Sequence, residues 1–314
     1  MISINAICIG YRIRDFLKEV TEGEVYCVHK NSFYCLLPHK QLLLVCDRGY
    51  GGIPFAISVD SWSGCFNNIG IEKGMYINFK DWCLNIPEAD LCIYMNNTKV
   101  WCPKNNNLQF TLLPDTYSNL DFATQIGIAG GSKEGLGGLL SVHNNLFLDE
   151  KKEVTDLNFL CQLCFGLLCS FIRGIEKRDF YRVQISLSKL IGLGVGLTPS
   201  TDDLLIGLIS SLNFLQSSCS FSSWCAPFIG RMLYSLCIGK TTLVSETFIK
   251  YASKGDKYEI LENVIFAILF SSKEQLGLKI RKILSVGCTS GTEILLGILI
   301  GLRLGFRNIV CRTY

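Results

Sequence analysis

Charge and histidine are what this sequence has least of. Lys, Arg, Asp and Glu make up 18% of its 314 residues, and the formal net charge is +3. A balance so mild and evenly spread leaves no basic footprint for a phosphate backbone, so no nucleic-acid partner is expected. The three histidines, His29, His39 and His143, all precede the helical half and share no ligand spacing, which argues against a histidine metal site. No serine occupies a Gly-x-Ser-x-Gly elbow, so a hydrolase triad of that kind is not expected. Long hydrophobic runs are missing too, although hydrophobic residues reach 49% and the mean hydropathy is +0.31. "FLCQLCFGLLCSFI" (159–172) and "LLIGLISSLNFL" (204–215) stop short of the roughly 18 residues a spanning helix needs. "ILLGILIGL" (294–302) is bracketed by Glu293 and Arg303. All three read as buried helices, and no membrane partner is expected. The opening "MISINAICIGYRIRDF" lacks a basic start and a long apolar segment, so a cytoplasmic location with reduced thiols is expected.

Cysteine is plentiful, at sixteen residues, but its spacing is irregular. Cys8, Cys35, Cys46, Cys92, Cys169 and Cys237 sit within apolar runs, where the thiol behaves as a small hydrophobe. The one C-x-x-C, Cys161 to Cys164, has no second pair and no nearby histidine, and reads as packing.

The hydrophobic period changes along the chain. Up to about Pro103, short segments rich in β-branched and aromatic residues ("ISINAICI", "EVYCVHK", "FYCLLP", "LLLVCD", "FAISVD", "MYINFK", "ADLCIYM") alternate with Gly and Asn turns. A single helix is expected near Arg12 to Val20. From Asp156 the period is helical, with helices expected over 156–174, 178–190, 200–215, 226–237, 242–253, 257–270, 273–284 and 291–304. Strands first and helices afterwards predict an α+β protein: a small β-barrel or sandwich-like domain, then a mostly α-helical one. The boundaries expected are 1–115 for the strands, 116–155 for a Gly-rich connector and 156–314 for the helices.

The helical half contains an internal echo. "STDDLLIG" (200–207) returns 90 positions later as "SGTEILLG" (290–297), each a Ser, an acid three residues on, three aliphatics and a glycine. Ser-x-x-acid is a capping box, which by itself accounts for Ser200 with Asp203 and Ser290 with Glu293. Capping leaves unexplained the alternating Gly192, Gly194 and Gly196 and the second acid, Asp202. Alternate glycines allow positive φ and close backbone approach, and a helix start behind them suits an anion. A third hydroxyl-rich helix start, "GKTTLVSETF" (239–248), places Lys240 where it opposes the helix dipole unless an anion lies between.

In order, "GLGVGLTPSTDDLLIG", "TTLVS" and "SGTEILLG" resemble the family of the oxamate carbamoyltransferase subunit AllH, closely over 190–302 and loosely over the strand-rich half. Thr201 stands where that family's pattern has glycine, and Glu293 where it has aspartate. The first change narrows a site that needs close backbone approach. The second shifts the carboxylate by about one methylene. The resemblance implies carbamoyl transfer among small anionic substrates, oxamate and carbamoyl phosphate giving oxalurate and phosphate, within a complex of several subunits. No cofactor is assigned and Mg²⁺ stays open: Asp202 could orient an amide NH2 or hold a cation, and beside a phosphate it would repel it without Mg²⁺. The substrate-binding candidates are Gly194, Gly196, Leu197, Thr198, Ser200, Lys240, Thr241, Thr242, Ser245, Ser290, Gly291 and Thr292. The catalytic candidates are Asp202, Asp203 and Glu293. The alternative is a non-catalytic accessory or small-anion-binding subunit whose loops shape its packing against partners.

Overall fold

In a computed structural model, residues 2–60, 65–103, 114–148, 156–218 and 225–310 are described. Two compact units result: Met1–Lys104 with Lys257–Glu259, and Asn105–Asp256 with Ile260–Tyr314.

The first unit is a β-barrel. Its strands are β1 (Ile2–Gly10), β2 (Glu22–His29), β3 (Ser32–Leu37), β4 (Gln41–Asp47), β5 (Ala56–Val59), β6 (Tyr76–Lys80), β7 (Cys83–Ile86), β8 (Leu91–Tyr94) and β9 (Lys99–Trp101). The order β5-β4-β3-β2-β6-β7-β8-β1 closes because β1 also pairs with β5, through Ala6–Val59 and Ile9–Ile57. Eight strands make the ring, and β9 runs parallel to the second half of β1. Most neighbours are antiparallel, while β1–β8 and β4–β5 are parallel. Ile4, Val25, Phe33, Leu43, Val45, Ile57, Ile77, Leu84 and Ile93 fill the interior. An eight-stranded barrel closed on side chains of this size is a packed core and not a channel.

Seven of the nine strands coincide with the apolar segments of the sequence. The other two, β7 and β9, are four and three residues long and lie outside the apolar segments singled out in the sequence. The turn before β7 puts Asp81 and Trp82 at φ 50° and 58°, the left-handed pair that a tight hairpin requires. Where a helix was expected over 12–20, only a three-residue 3-10 turn forms, Phe16–Lys18.

The second unit is helical: α1 (Pro114–Gly130), α2 (Phe159–Glu176), α3 (Phe180–Leu190), α4 (Ser200–Ser218), α5 (Cys225–Cys237), α6 (Leu243–Ser253), α7 (Glu259–Phe270), α8 (Lys273–Leu284) and α9 (Ser290–Val310). Eight of these answer the periodic segments of the sequence. The ninth, α1, arises inside the stretch read as a connector, where Pro, Asp and Asn mask it. Proline is nevertheless well suited to the first helical position, and an acid beside it complements the dipole. Helix α2 runs beyond the apolar stretch noted above to 18 residues; it is the one helix among those described that is long and apolar enough to cross a membrane. One of its faces, Cys161, Cys164, Leu168, Phe171 and Ile172, is buried within the helical unit, whereas Phe159 is 80% exposed.

Helices α4 and α9 cross at the centre of this unit, and the repeated motif explains how. A Cβ on Gly207 would collide with the backbone of Ile294 and press on Ile298, while one on Gly297 would collide with that of Leu204 and press on Leu208. A shift of 90 residues converts either set of contacts into the other, so the crossing has a local two-fold relation. The two glycines let the helix backbones touch, which no larger residue permits. Both helices therefore begin side by side.

Candidate functional site

Three loops converge on the starts of α4 and α9: the Gly192–Pro199 loop, the Gly239–Thr242 loop before α6, and the glycine-rich 131–138 segment after α1. Thr198 Oγ1 lies 3.3 Å from Ser290 Oγ, which joins the first motif to its echo.

Asp202 is fully buried and ties two of the loops together. Its Oδ1 accepts the Gly192 N–H at 2.8 Å, and its Oδ2 accepts the hydroxyls of Ser245, at 2.7 Å, and Thr241. Burial pushes the Asp202 carboxyl up, and those three donors pull it back. With three donors in place, this carboxylate organises the loops around it. Thr242 caps α6, accepting the Ser245 N–H at 3.1 Å, and donates its hydroxyl to the Leu197 carbonyl. The φ angles of Gly192, Gly194 and Gly196 are all positive, at 82°, 119° and 97°, a backbone that favours glycine at each of these alternate positions. Among the described residues, none of the amides from Gly194 to Thr198 donates to another backbone group. At the tip, Val195 is 90% exposed.

Glu293 plays the matching part on the other side. It is fully buried, and its Oε1 accepts the Leu136 N–H at 3.3 Å, its Oε2 the Thr289 hydroxyl at 3.1 Å. The Ser200 hydroxyl faces the same carboxylate; burial raises this carboxyl, and Ser200, the Leu136 N–H and Thr289 oppose that. A side chain at Gly135 would collide with Glu293 Oε1.

The pairing of serines and acids is exchanged between the motifs. Ser200 faces Glu293, and the Ser290 and Thr198 hydroxyls face Asp203. Each serine thus faces the acid of the other helix, a different pattern from the local capping box. The backbone starts are matched too: the amides of Asp202 and Asp203 donate to Pro199 O, and those of Thr292 and Glu293 to Thr289 O. Asp203 differs from the other two acids. Only 3% exposed, it keeps one oxygen, Oδ2, shut from solvent with no hydrogen-bond partner among the described residues. Burial, reinforced by the negative charges of Glu293 and Asp202, pushes its carboxyl up to about 8 against the pull of the two hydroxyls.

The remaining candidates are placed as follows. Lys240 Nζ donates to Ser188 O at 3.2 Å, in the last turn of α3, where open carbonyls attract a cation. Thr292 Oγ1 accepts the Ser132 N–H at 2.9 Å, and the Gly291 N–H donates to Val286 O at 3.0 Å. The Thr201 hydroxyl bonds the Leu190 and Leu193 carbonyls and accepts the Leu193 N–H, so it faces the end of α3. Its counterpart, Gly291, has no room for a side chain, because a Cβ there would strike the Ile283 carbonyl. Sequence reasoning missed Gly135, Leu136 and Ser132. The density of glycine in "AGGSKEGLGG" was the available signal. Among the described residues no three His, Cys, Asp or Glu side chains cluster as metal ligands.

Two family models match this chain. The model described as oxamate carbamoyltransferase subunit AllH covers residues 190–302, and that of the AllH family N-terminal domain covers residues 3–100. The chain belongs to the AllH family. No curated protein and no solved structure matches it. The first AllH model spans both helix starts, the Gly192–Pro199 loop and the Gly239–Thr242 loop, while the 131–138 segment lies outside it. The second AllH model coincides with the barrel.

Proposed function

We propose that this chain provides the small-anion site of an oxamate carbamoyltransferase complex, set between the starts of α4 and α9. The observation that carries the reading is the buried Asp203 carboxyl, with a free oxygen, beside the Thr198 and Ser290 hydroxyls. An unmatched buried oxygen costs about 1–3 kcal/mol, and a ligand beside it would complete its bonds.

In the reaction the name implies, the amide nitrogen of oxamate attacks the carbamoyl carbon of carbamoyl phosphate. A C–N bond forms, the C–O bond to phosphate breaks, and the nitrogen gives up a proton. Such a transfer needs no protein nucleophile. It needs N–H and O–H donors where negative charge develops, and fixed placement of both reactants. The amides of Gly194, Gly196 and Leu197, with Thr198, Ser200 and Ser290, are suited to that task. Asp202, Thr241, Thr242 and Ser245 act one step back, holding the loop whose amides face the ligand. Lys240 and Thr292 hold neighbouring backbone. Other subunits, a soluble cytoplasmic setting and the absence of a resident cofactor complete the proposal.

The internal commitments of Thr241, Thr242, Ser245 and Thr292 favour a second reading, in which the loops only shape an accessory subunit. Phosphate release by the co-expressed subunits separates the two. With oxamate and carbamoyl phosphate together, the enzyme reading expects turnover, and Ser290→Ala lowers kcat/KM by about 10²-fold, the effect of losing one charge-stabilising donor. Turnover that is indifferent to Ser290→Ala and Asp203→Asn overturns it in favour of the accessory role.

A further inference from the structure

Asp202 meets three donors and Glu293 two, with the Ser200 hydroxyl facing it, whereas Asp203 Oδ2 meets none among the described residues. The charged groups that face Asp203 are Glu293, from α9, and Asp202, from its own helix, both acidic; its other polar neighbours are the Ser290 and Thr198 hydroxyls. Adjacent carboxylates in a low-dielectric interior cannot both stay charged, so such a group keeps a proton. Hydrogen-bond donors favour the anion at Glu293 and at Asp202, which leaves Asp203 as the acid that carries it. A neutral carboxylic acid donates through its O–H, and its natural partner is an anionic oxygen.

We infer that Asp203 holds a proton and donates it, as a hydrogen bond, to an oxygen of a small carboxylate or oxoanion ligand seated against Thr198 and Ser290. The inference rests on the functional reading above and refines it by naming the ligand class and the donor. A charged carboxylate at this point would repel such a ligand; a carboxylic acid attracts it. The ligand's negative charge is then met by O–H and N–H donors, the acid, two hydroxyls and the loop amides. Asp203 resembles the neutral carboxylic acid that some enzymes keep in an apolar pocket as an oxyanion donor. Binding then depends on pH in a defined way: affinity is constant while Asp203 is protonated and falls once it ionises.

Isothermal titration of the full chain with oxamate, from pH 6 to 9.5, tests this. A carboxylate of that kind does not itself titrate in this range, so any change belongs to the protein. The expected result is a flat affinity at the acid end and a loss of about tenfold per pH unit above the Asp203 pKa, with net proton uptake on binding near that pH. Asp203→Asn gives an affinity that no longer varies with pH and no proton uptake. Glu293→Gln removes the neighbouring charge, and the fall moves to lower pH. An unaltered pH course in Asp203→Asn, or binding that appears only when Mg²⁺ is added, overturns the proton inference and leaves the site standing. No oxamate binding at any pH overturns both.

Discussion

Asp203 on α4 is faced by the Ser290 hydroxyl on α9, and Glu293 on α9 by the Ser200 hydroxyl on α4, so each serine faces the acid of the other helix. A double-mutant cycle separates this exchange from local capping. Ser200→Ala with Glu293→Gln is expected to show a coupling of about 1 kcal/mol, and Ser200→Ala with Asp203→Asn about half that or less. Urea unfolding of the single and double variants reads both; a larger coupling within the Ser200–Asp203 pair contradicts the exchange.

Glycines of the helical unit divide by what surrounds them. Gly297→Ala places a methyl against the Leu204 carbonyl, and its cost is expected to exceed about 3 kcal/mol, with Gly207→Ala close behind. Gly166, exposed on α2 with nothing near its Cβ position, is the control. Gly166→Ala is expected to stabilise by about 0.5–1 kcal/mol. Denaturation midpoints decide, and equal effects at Gly166 and Gly297 would rule out the close crossing.

Asp202→Asn replaces an acceptor of three hydrogen bonds with a group half of which is a donor. A destabilisation of about 2–4 kcal/mol is expected, with faster amide exchange at Gly192, whose N–H that carboxylate holds at 2.8 Å. Conversely, Lys240→Ala removes only a surface bond to Ser188 O, and less than about 1 kcal/mol is expected. Hydrogen exchange of the two variants checks both statements.

Stability should vary with pH on two limbs. The Asp203 carboxyl, raised to about 8, binds a proton in the folded chain where the unfolded chain does not. Its stabilising effect is therefore complete below the unfolded value, about 4, and is lost as pH rises toward 8. Asp203→Asn flattens that limb. His143, buried and lowered to about 4, works in the opposite direction. Its stabilising effect is present above about 6.5 and is lost as pH falls toward 4, because only the unfolded chain takes up the proton. Thermal unfolding between pH 4 and 9 records both limbs; a limb unchanged in Asp203→Asn contradicts the first assignment.

Much of the fold is legible in the sequence because periodicity is a local signal. Seven strands and eight helices lie where alternation or a 3.6-residue period puts them. The three-residue β9, and a helix that begins Pro-Asp-Thr, carry too little of that signal. The echo of Ser200–Gly207 at Ser290–Gly297 is readable as a repeat, and so is the suspicion that both helix starts share a place. The partner of each acid is not readable, because capping chemistry and cross-helix bonding use the same residues. That Ser200 faces Glu293 depends on the crossing angle set by Gly207 and Gly297. Leu136 reaches Glu293 through a backbone N–H, which leaves no mark in the residue type.

The central claim is that the starts of α4 and α9 hold a small anion between them. Its most direct test is a crystal structure of the chain grown with oxamate. The account predicts density that touches the Thr198 and Ser290 hydroxyls, with one ligand oxygen within hydrogen-bond distance of Asp203. Oxamate bound elsewhere, with Asp203 Oδ2 still unpaired behind closed side chains, would contradict it.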